Sequence, residues 1–200
     1  MSSPFDVRPI VVAVAGPNGA GKTTFYEAHL APAGLRFVNA DDLARELGLD
    51  PYAAAEVAAG IRETLLEQGE SFVFETVFSD PVGEKVGFLE KAAAKGHAVV
   101  LCFVGVEGPA VSEERVAMRV AQGGHDVPSA KLAERFPRTL RNLARAIRVL
   151  PHVIVYDNSD LARPYRRVAV FEGGRIADRV TDLPGWLEKA LPRGRKPSRP

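Results

Sequence analysis

The sequence predicts an α/β fold in which a mostly parallel central sheet lies between two helical layers and carries a small helical lid. Three observations predict it. Residues 16–23 read GPNGAGKT, the glycine-rich pattern G-x-x-x-x-G-K-[ST], set between an apolar β-branched run and a helix-forming stretch. From Ile10 to Tyr156, short apolar runs alternate with longer windows of helical periodicity, the order that builds a parallel sheet with helices on both faces. The runs are apolar at consecutive positions, as strands covered on both faces must be. Ligands of such sheets sit at the carboxyl ends of the strands, so the residues just after each strand carry the functional reading.

The first strand is Ile10–Ala15, and the phosphate loop follows it. Glycines let successive amide N–H groups point inward at phosphate oxygens. Lys22 can reach the β- and γ-phosphates, and the Thr23 hydroxyl can ligate Mg²⁺. Gly16, Pro17, Asn18, Gly19, Ala20, Gly21, Lys22, Thr23 and Thr24 are therefore the expected nucleotide-binding residues, with Lys22 in a solvent-facing loop. ATP and Mg²⁺ are the expected cofactors. A helix over Phe25–Ala31 continues from the loop and turns its N-terminus to the phosphates.

The second strand, Arg36–Asn39, runs into VNADDLAREL and brings Asn39, Asp41 and Asp42 beside the loop. A carboxylate there can take the proton of an attacking hydroxyl or hold Mg²⁺. The structural alternative is that Asp41 or Asp42 caps a helix starting at Leu43. Pro51–Gln68 is an alanine-rich helix with Val57, Ile61, Leu65 and Leu66 at helical spacing. The third strand, Ser71–Glu75, ends in Glu75 and Thr76, where a charged group is a substrate contact, a Mg²⁺-site carboxylate or a strand end paired with an arginine. A helix over Pro81–Lys95 and a fourth strand over Ala98–Val106 follow. That strand holds Cys102, the single cysteine, so no internal disulfide forms.

Pro109–Gln122 is the next helix. Arg115 and Arg119 are four apart and share one of its faces. Gly123 and Gly124 break it, and His125, Asp126 and Pro128 lead into the following helix. Arginines beside a glycine hinge suit a lid that closes on a transferred phosphate; the alternative is a surface helix with Glu113 and Glu114 as counter-charges. In Ser129–Leu150 an arginine stripe (Arg135, Arg138, Arg141, Arg145, Arg148) opposes an apolar one (Leu132, Phe136, Leu140, Leu143, Ile147). Pro137 kinks this helix or begins a second, and a kink there aims Arg138 toward the lid. After the strand His152–Tyr156, the residues Asp157, Asn158 and Ser159 offer polar groups to an adenine base, ahead of a structural turn or a metal site. RRVAVF and RIADRV around EGG form a closing hairpin.

The expected organisation is one domain over residues 1–190, with the lid at about 109–150 and a basic, proline-rich tail over 191–200. A net charge of +1 gives no general drive toward nucleic acid or membranes. No apolar run approaches the roughly 20 residues of a membrane span. The N-terminal MSSPFDVRPI lacks the layout of a signal peptide, and a cytoplasmic location is the expectation.

The chain resembles the zeta-toxin family of P-loop kinases, most closely its broad bacterial branch often described as ABC-type ATPases. The shared elements are GPNGAGKTT, VNADDLA, the strand-end FET, RV-x-x-RV-x-x-GGHDVP, RF-P-R-x-x-RN and YDNS. The resemblance implies a P-loop three-layer sandwich and phosphoryl transfer from ATP to a hydroxyl. In the family's toxins that hydroxyl is the 3′-OH of the sugar in UDP-N-acetylglucosamine, and an antitoxin is the partner. The catalytic base maps to Asp41, the substrate-binding glutamate to Glu75 and the phosphate-facing arginine to Arg119; His125 stands about where a second lid arginine would be. The expected catalytic residues are thus Asp41, Lys22 and Arg119. Asn39, Glu75, Thr76, Arg115, His125 and Arg138 are expected at the substrate, Asn158 at the nucleotide, and Thr23 with Asp41 at the metal. Two departures concern the sugar-contacting regions: LARELGLDPY holds no His-Pro pair, and FET replaces E-G-T. The competing readings are an ATPase or switch NTPase without an acceptor, which the absence of an LSGGQ-like sequence disfavours for the ABC type, and a nucleic-acid-end kinase, which near-zero net charge disfavours.

Overall fold

A computed structural model describes residues 3–121 and 127–191. Its strands are β1 (Ile10–Ala15), β2 (Arg36–Val38), β3 (Phe72–Thr76), β4 (Ala98–Gly105), β5 (His152–Asp157), β6 (Arg166–Glu172) and β7 (Arg175–Arg179). Its α-helices are α1 (Lys22–His29), α2 (Ala40–Leu47), α3 (Pro51–Glu67), α4 (Glu84–Ala94), α5 (Pro109–Ala121), α6 (Ser129–Val149) and α7 (Gly185–Ala190). The strands form one sheet in the order β2-β3-β1-β4-β5-β6-β7. The first five pair in parallel, and the β6–β7 hairpin adds two antiparallel strands at one edge. The fold is the expected α/β sandwich.

Every residue of β1 is buried, which is why its sequence is apolar without alternation. Val11, Ala13, Phe72, Phe74, Leu101 and Phe103 face one layer, where α3, α4 and α6 supply Leu65, Leu66, Val86, Leu89, Leu143 and Ile147. Val12, Val14, Cys102 and Val104 face the other, against Phe25 of α1 and Phe136 of α6. Burial pushes the Cys102 thiol up to about 12, so it behaves as a small apolar residue. The register sets Val14 opposite Glu75 and Ala15 opposite both Thr76 and Phe103, so the carboxyl ends of β1, β3 and β4 are level. The site is built on that level.

Three expectations change here. The helix after β2 begins at Ala40, not Leu43, and its cap is Asn39, whose side chain accepts from the Asp41 amide at 2.9 Å. Pro137 sits inside one continuous α6 and does not divide it. Helix α7 has no counterpart in the sequence reading. It is six residues long, too short for a periodic signal, yet its Trp186 is 2% exposed and lies over Gly105, where an added Cβ would meet the indole at 2.2 Å.

Candidate active site

The phosphate loop leaves β1 at Gly16, where φ is +152° and a Cβ would lie 2.0 Å from the Val104 carbonyl oxygen. Only glycine passes β4 this closely. At the other end Gly21 caps α1 with φ +85°, hard against the Tyr165 hydroxyl and the Asn158 amide. Four loop carbonyls are held by side chains: Pro17 by Lys22 Nζ at 3.1 Å, Asn18 by Ser112 Oγ at 2.5 Å, Ala20 by Asn158 Nδ2 at 2.9 Å and Gly21 by the Tyr165 hydroxyl at 2.9 Å. With its acceptors engaged, the loop presents amide N–H groups and the N-terminus of α1, the elements of an anion cradle. Asn18 Oδ1 is buried with no hydrogen-bond partner among the described residues, as fits a loop built to meet a further group.

Lys22 is 6% exposed, which corrects the expectation of a solvent-facing lysine. It is folded under the loop, with its ammonium 3.7 Å from Glu75 Oε1. Burial pulls its pKa below the ordinary lysine value. The carboxylates of Glu75 and Asp41 oppose that shift, and the positive charge of Arg119 adds to it. The charges of Asp41 on α2 and of Arg119 in the last turn of α5 are thus both felt at this ammonium. Asp42 is bound to Arg45 at 2.6 Å on its own helix, whereas Asp41 acts on Lys22.

Glu75 is the hub. Its Oε2 accepts from the Thr23 hydroxyl at 2.8 Å and from Asn39 Nδ2 at 3.4 Å. The carboxylate joined to Thr23 is Glu75. A hydroxyl and a carboxylate beside a phosphate cradle are oxygen donors of the kind Mg²⁺ takes, and they fit that ion.

Other expected residues turn out to hold the frame. Asn158 is 3% exposed; its amide donates to Ala20 and accepts from the Tyr165 N–H at 3.3 Å, so it fastens the loop. Asp157 accepts from Trp186 Nε1 at 3.0 Å and from the Ser159 hydroxyl at 2.6 Å, which ties this turn to α7. Arg115 donates to the Ser159 carbonyl at 3.1 Å and braces α5 against the end of β5. Thr76 turns into its own chain and accepts from the Phe78 N–H at 3.1 Å. Arg138 pairs with Glu134 at 3.2 Å along α6, and no ion pair or hydrogen bond joins it to the Glu75 cluster. His125 and the Gly123–Gly124 hinge lie outside the described residues.

Sequence reasoning missed the clamp on the segment after β3. Phe78 is buried with φ +63°, a left-handed conformation disfavoured for a bulky side chain. It is held by α6: Thr139 donates to the Val77 carbonyl at 3.0 Å, and Asn142 donates to the carbonyls of Phe78 and Asp80 at 2.9 Å each. The available signal was two polar residues, Thr139 and Asn142, set within the apolar stripe of α6.

Residues 49–169 match the sequence profile of the Zeta toxin family, more than half of the chain. The match starts beyond the phosphate loop and Asp41, whose assignment rests on motif and geometry. No curated protein sequence matches the chain. Among solved structures, AvrRxo1-ORF1:-ORF2 with ATP aligns at TM-score 0.66 and 19% identity, covering 86% of this chain and 61% of that one. The chain thus spans under two thirds of that relative's length. The PezAT chromosomal toxin-antitoxin system of Streptococcus pneumoniae aligns at TM-score 0.60 and 17% identity, covering 96% of this chain and 80% of that one. The Pnkp1/Rnl/Hen1 RNA repair complex aligns at TM-score 0.54 and 14% identity, covering 72% and 49%. At these identities the likenesses establish the fold. Among the described residues no helix is long and apolar enough to cross a membrane.

Proposed function

The chain belongs to the zeta toxin family, and from that membership we propose that it is an ATP-dependent kinase acting on a hydroxyl of a small molecule. The observation that carries the reading is the meeting of Lys22, Thr23, Asn39 and Glu75 at the ends of β1 and β3, with Asp41 and Arg119 acting on the same lysine. Residues 1–190 are read as one kinase unit, with the lid around residues 109–150.

In this reading the loop amides and Lys22 hold the β- and γ-phosphates. Asp41 accepts the proton of the acceptor hydroxyl as its oxygen attacks the γ-phosphorus, the bond from phosphorus to the bridging oxygen breaks, and ADP leaves. Arg119 balances negative charge on the transferring group. Thr23 and Glu75 are the residues that would hold Mg²⁺, which when bound neutralises charge on the phosphates. Asn39 orients Glu75. The helix dipole at the start of α1 acts in the same sense as Lys22.

Family membership makes a nucleotide-sugar such as UDP-N-acetylglucosamine the first acceptor to test, and the likeness to PezAT supports an antitoxin-type protein partner. The deciding experiment measures ATP turnover with and without sugars, nucleotide-sugars and nucleosides. A kinase turns over only when its acceptor is present. Turnover that ignores every addition would make the chain a plain ATPase.

A further inference from the structure

Arg62 stands in the C-terminal half of α3, five residues before its end, and is 9% exposed. Its guanidinium carbon lies 5.1 Å from the ring centroid of Phe74 on β3 and 5.8 Å from that of Phe88 on α4. The two rings hold the planar group and answer its charge, but they accept none of its five N–H donors in the plane of the fork. No described residue forms an ion pair or side-chain hydrogen bond with it. The adjacent carboxylate, Glu63, gives its Oε2 to Lys91 at 2.6 Å on the outer surface. Burial pulls the Arg62 pKa down and Glu63 acts against this. Arginine stays charged all the same, so a cation is kept here with its donors unfilled. An apolar side chain would cover the same rings without that desolvation penalty. The nitrogens are not sealed in: the buried side-chain atoms without partners belong to Asn18, His97 and Arg138.

The position points to a use. Helix α3 joins β3 through a short turn and runs back along it, so the N-terminal half of α3 lies over the carboxyl end of the strand. Side chains on a helix lean toward its N-terminus, which carries the Arg62 head in that direction. Phe74 is one residue before Glu75 and points to the opposite face of the sheet. Helix α2, which carries Asp41, packs beside α3, with Ala40 and Leu43 against the same core as Ala58 and Phe74. Arg62 lies over Phe74, on the sheet face opposite Glu75, and leans toward the helix end at which an acceptor held at Asp41 would extend.

We propose that the Arg62 guanidinium, held flat on Phe74 and Phe88, binds an oxyanion, a carboxylate or a phosphate, carried by the phosphoryl acceptor. A guanidinium fork takes either group through two parallel N–H···O bonds. The word acceptor rests on the kinase reading; the anion site does not.

The test uses the whole chain with ¹⁵N-labelled arginine. The Arg62 Nε–H signal is assigned by its loss in Arg62→Met, which keeps an apolar stem on the rings. The protein is loaded with a non-hydrolysable ATP analogue and Mg²⁺, then titrated separately with methyl phosphate and with acetate. The expected result is a saturable shift of the Arg62 signal with one probe: methyl phosphate identifies a phosphate-bearing acceptor, acetate a carboxylate. Arg62→Met should bind that probe roughly tenfold or more weakly, and Arg62→Lys should recover part of the loss. If neither probe moves the signal, Arg62 is a packing residue and the proposal is overturned. If Arg62→Met fails to fold, loss of the signal in Arg62→Lys assigns it and the two titrations still decide. Failure of the analogue to bind would count against the kinase reading alone, because the acetate titration needs no phosphate loop.

Discussion

Replacing Glu75 by Gln removes one charge and almost no volume from the centre of the site. The amide can still accept from Thr23 or Asn39, so packing is retained and the change is electrostatic. Lys22, 6% exposed and 3.7 Å from the carboxylate, then loses its principal counter-charge. At that separation the gross attraction is about 4 kcal/mol for an effective dielectric constant near 20. Breaking a buried pair by deleting one partner typically costs about 3–5 kcal/mol. Here the cost is smaller, since Lys22 keeps its bond to the Pro17 carbonyl and the residual charge of Asp41. We expect Glu75→Gln to destabilise the nucleotide-free protein by about 2 kcal/mol. Urea unfolding should show a lowered midpoint at an unchanged slope. Lys22→Met in the Glu75→Gln background should restore much of the loss, because no buried charge is then left alone. Strictly additive effects of the two substitutions would show that the pair is not coupled and would refute the account of Glu75 as the hub.

Asp41→Asn should lower the turnover rate by about 100-fold or more while leaving nucleotide affinity within a factor of about three; Asp42→Asn should be mild in the same assay, and the reverse ranking would move the base by one residue. Arg119→Ala should also act on the rate more than on ATP binding, which steady-state kinetics beside nucleotide titration separates. Asn142→Ala leaves the Phe78 and Asp80 carbonyls unbonded and releases a left-handed phenylalanine, so thermal or urea unfolding should report a loss of about 2–3 kcal/mol together with slower transfer. Nucleotide binding needs Lys22 charged, and burial lowers its pKa. Affinity is therefore complete below the folded-state pKa and falls as pH rises through it, earlier than an ordinary lysine would allow; Lys22→Met should bind weakly with that alkaline decline absent.

The parts of the fold that were legible are those dominated by one strong local force. Fully buried strands such as β1 and β4 must be apolar at every position, and the glycines of the phosphate loop answer to backbone sterics at Gly16 and Gly21. Glu75 was legible as a neighbour of the phosphate loop because strand ends in a parallel sheet gather at one edge. What stayed hidden depends on which partner a polar group finds across the fold. Asn158 and Arg115 have the chemistry of ligand contacts, but the carbonyls of Ala20 and Ser159 take their donors. Lys22 reads as exposed in a polar loop, yet Glu75, 53 positions on, draws it inside. The left-handed Phe78 is held by the nearby Thr76 hydroxyl and, from a helix far along the chain, by Thr139 and Asn142, and that distant half has no local signal. Helix α7 was missed because one tryptophan, and no periodic pattern, fixes it.

The central claim is that this site moves a phosphoryl group onto an acceptor hydroxyl. Its most direct test follows the label of γ-³²P-ATP in a mixture of metabolites with the wild-type chain, Lys22→Met and Asp41→Asn. The account predicts that label appears on a small-molecule acceptor with the wild type and that both variants lose this product. Label recovered solely as inorganic phosphate, at a rate that Asp41→Asn leaves unchanged, would contradict it.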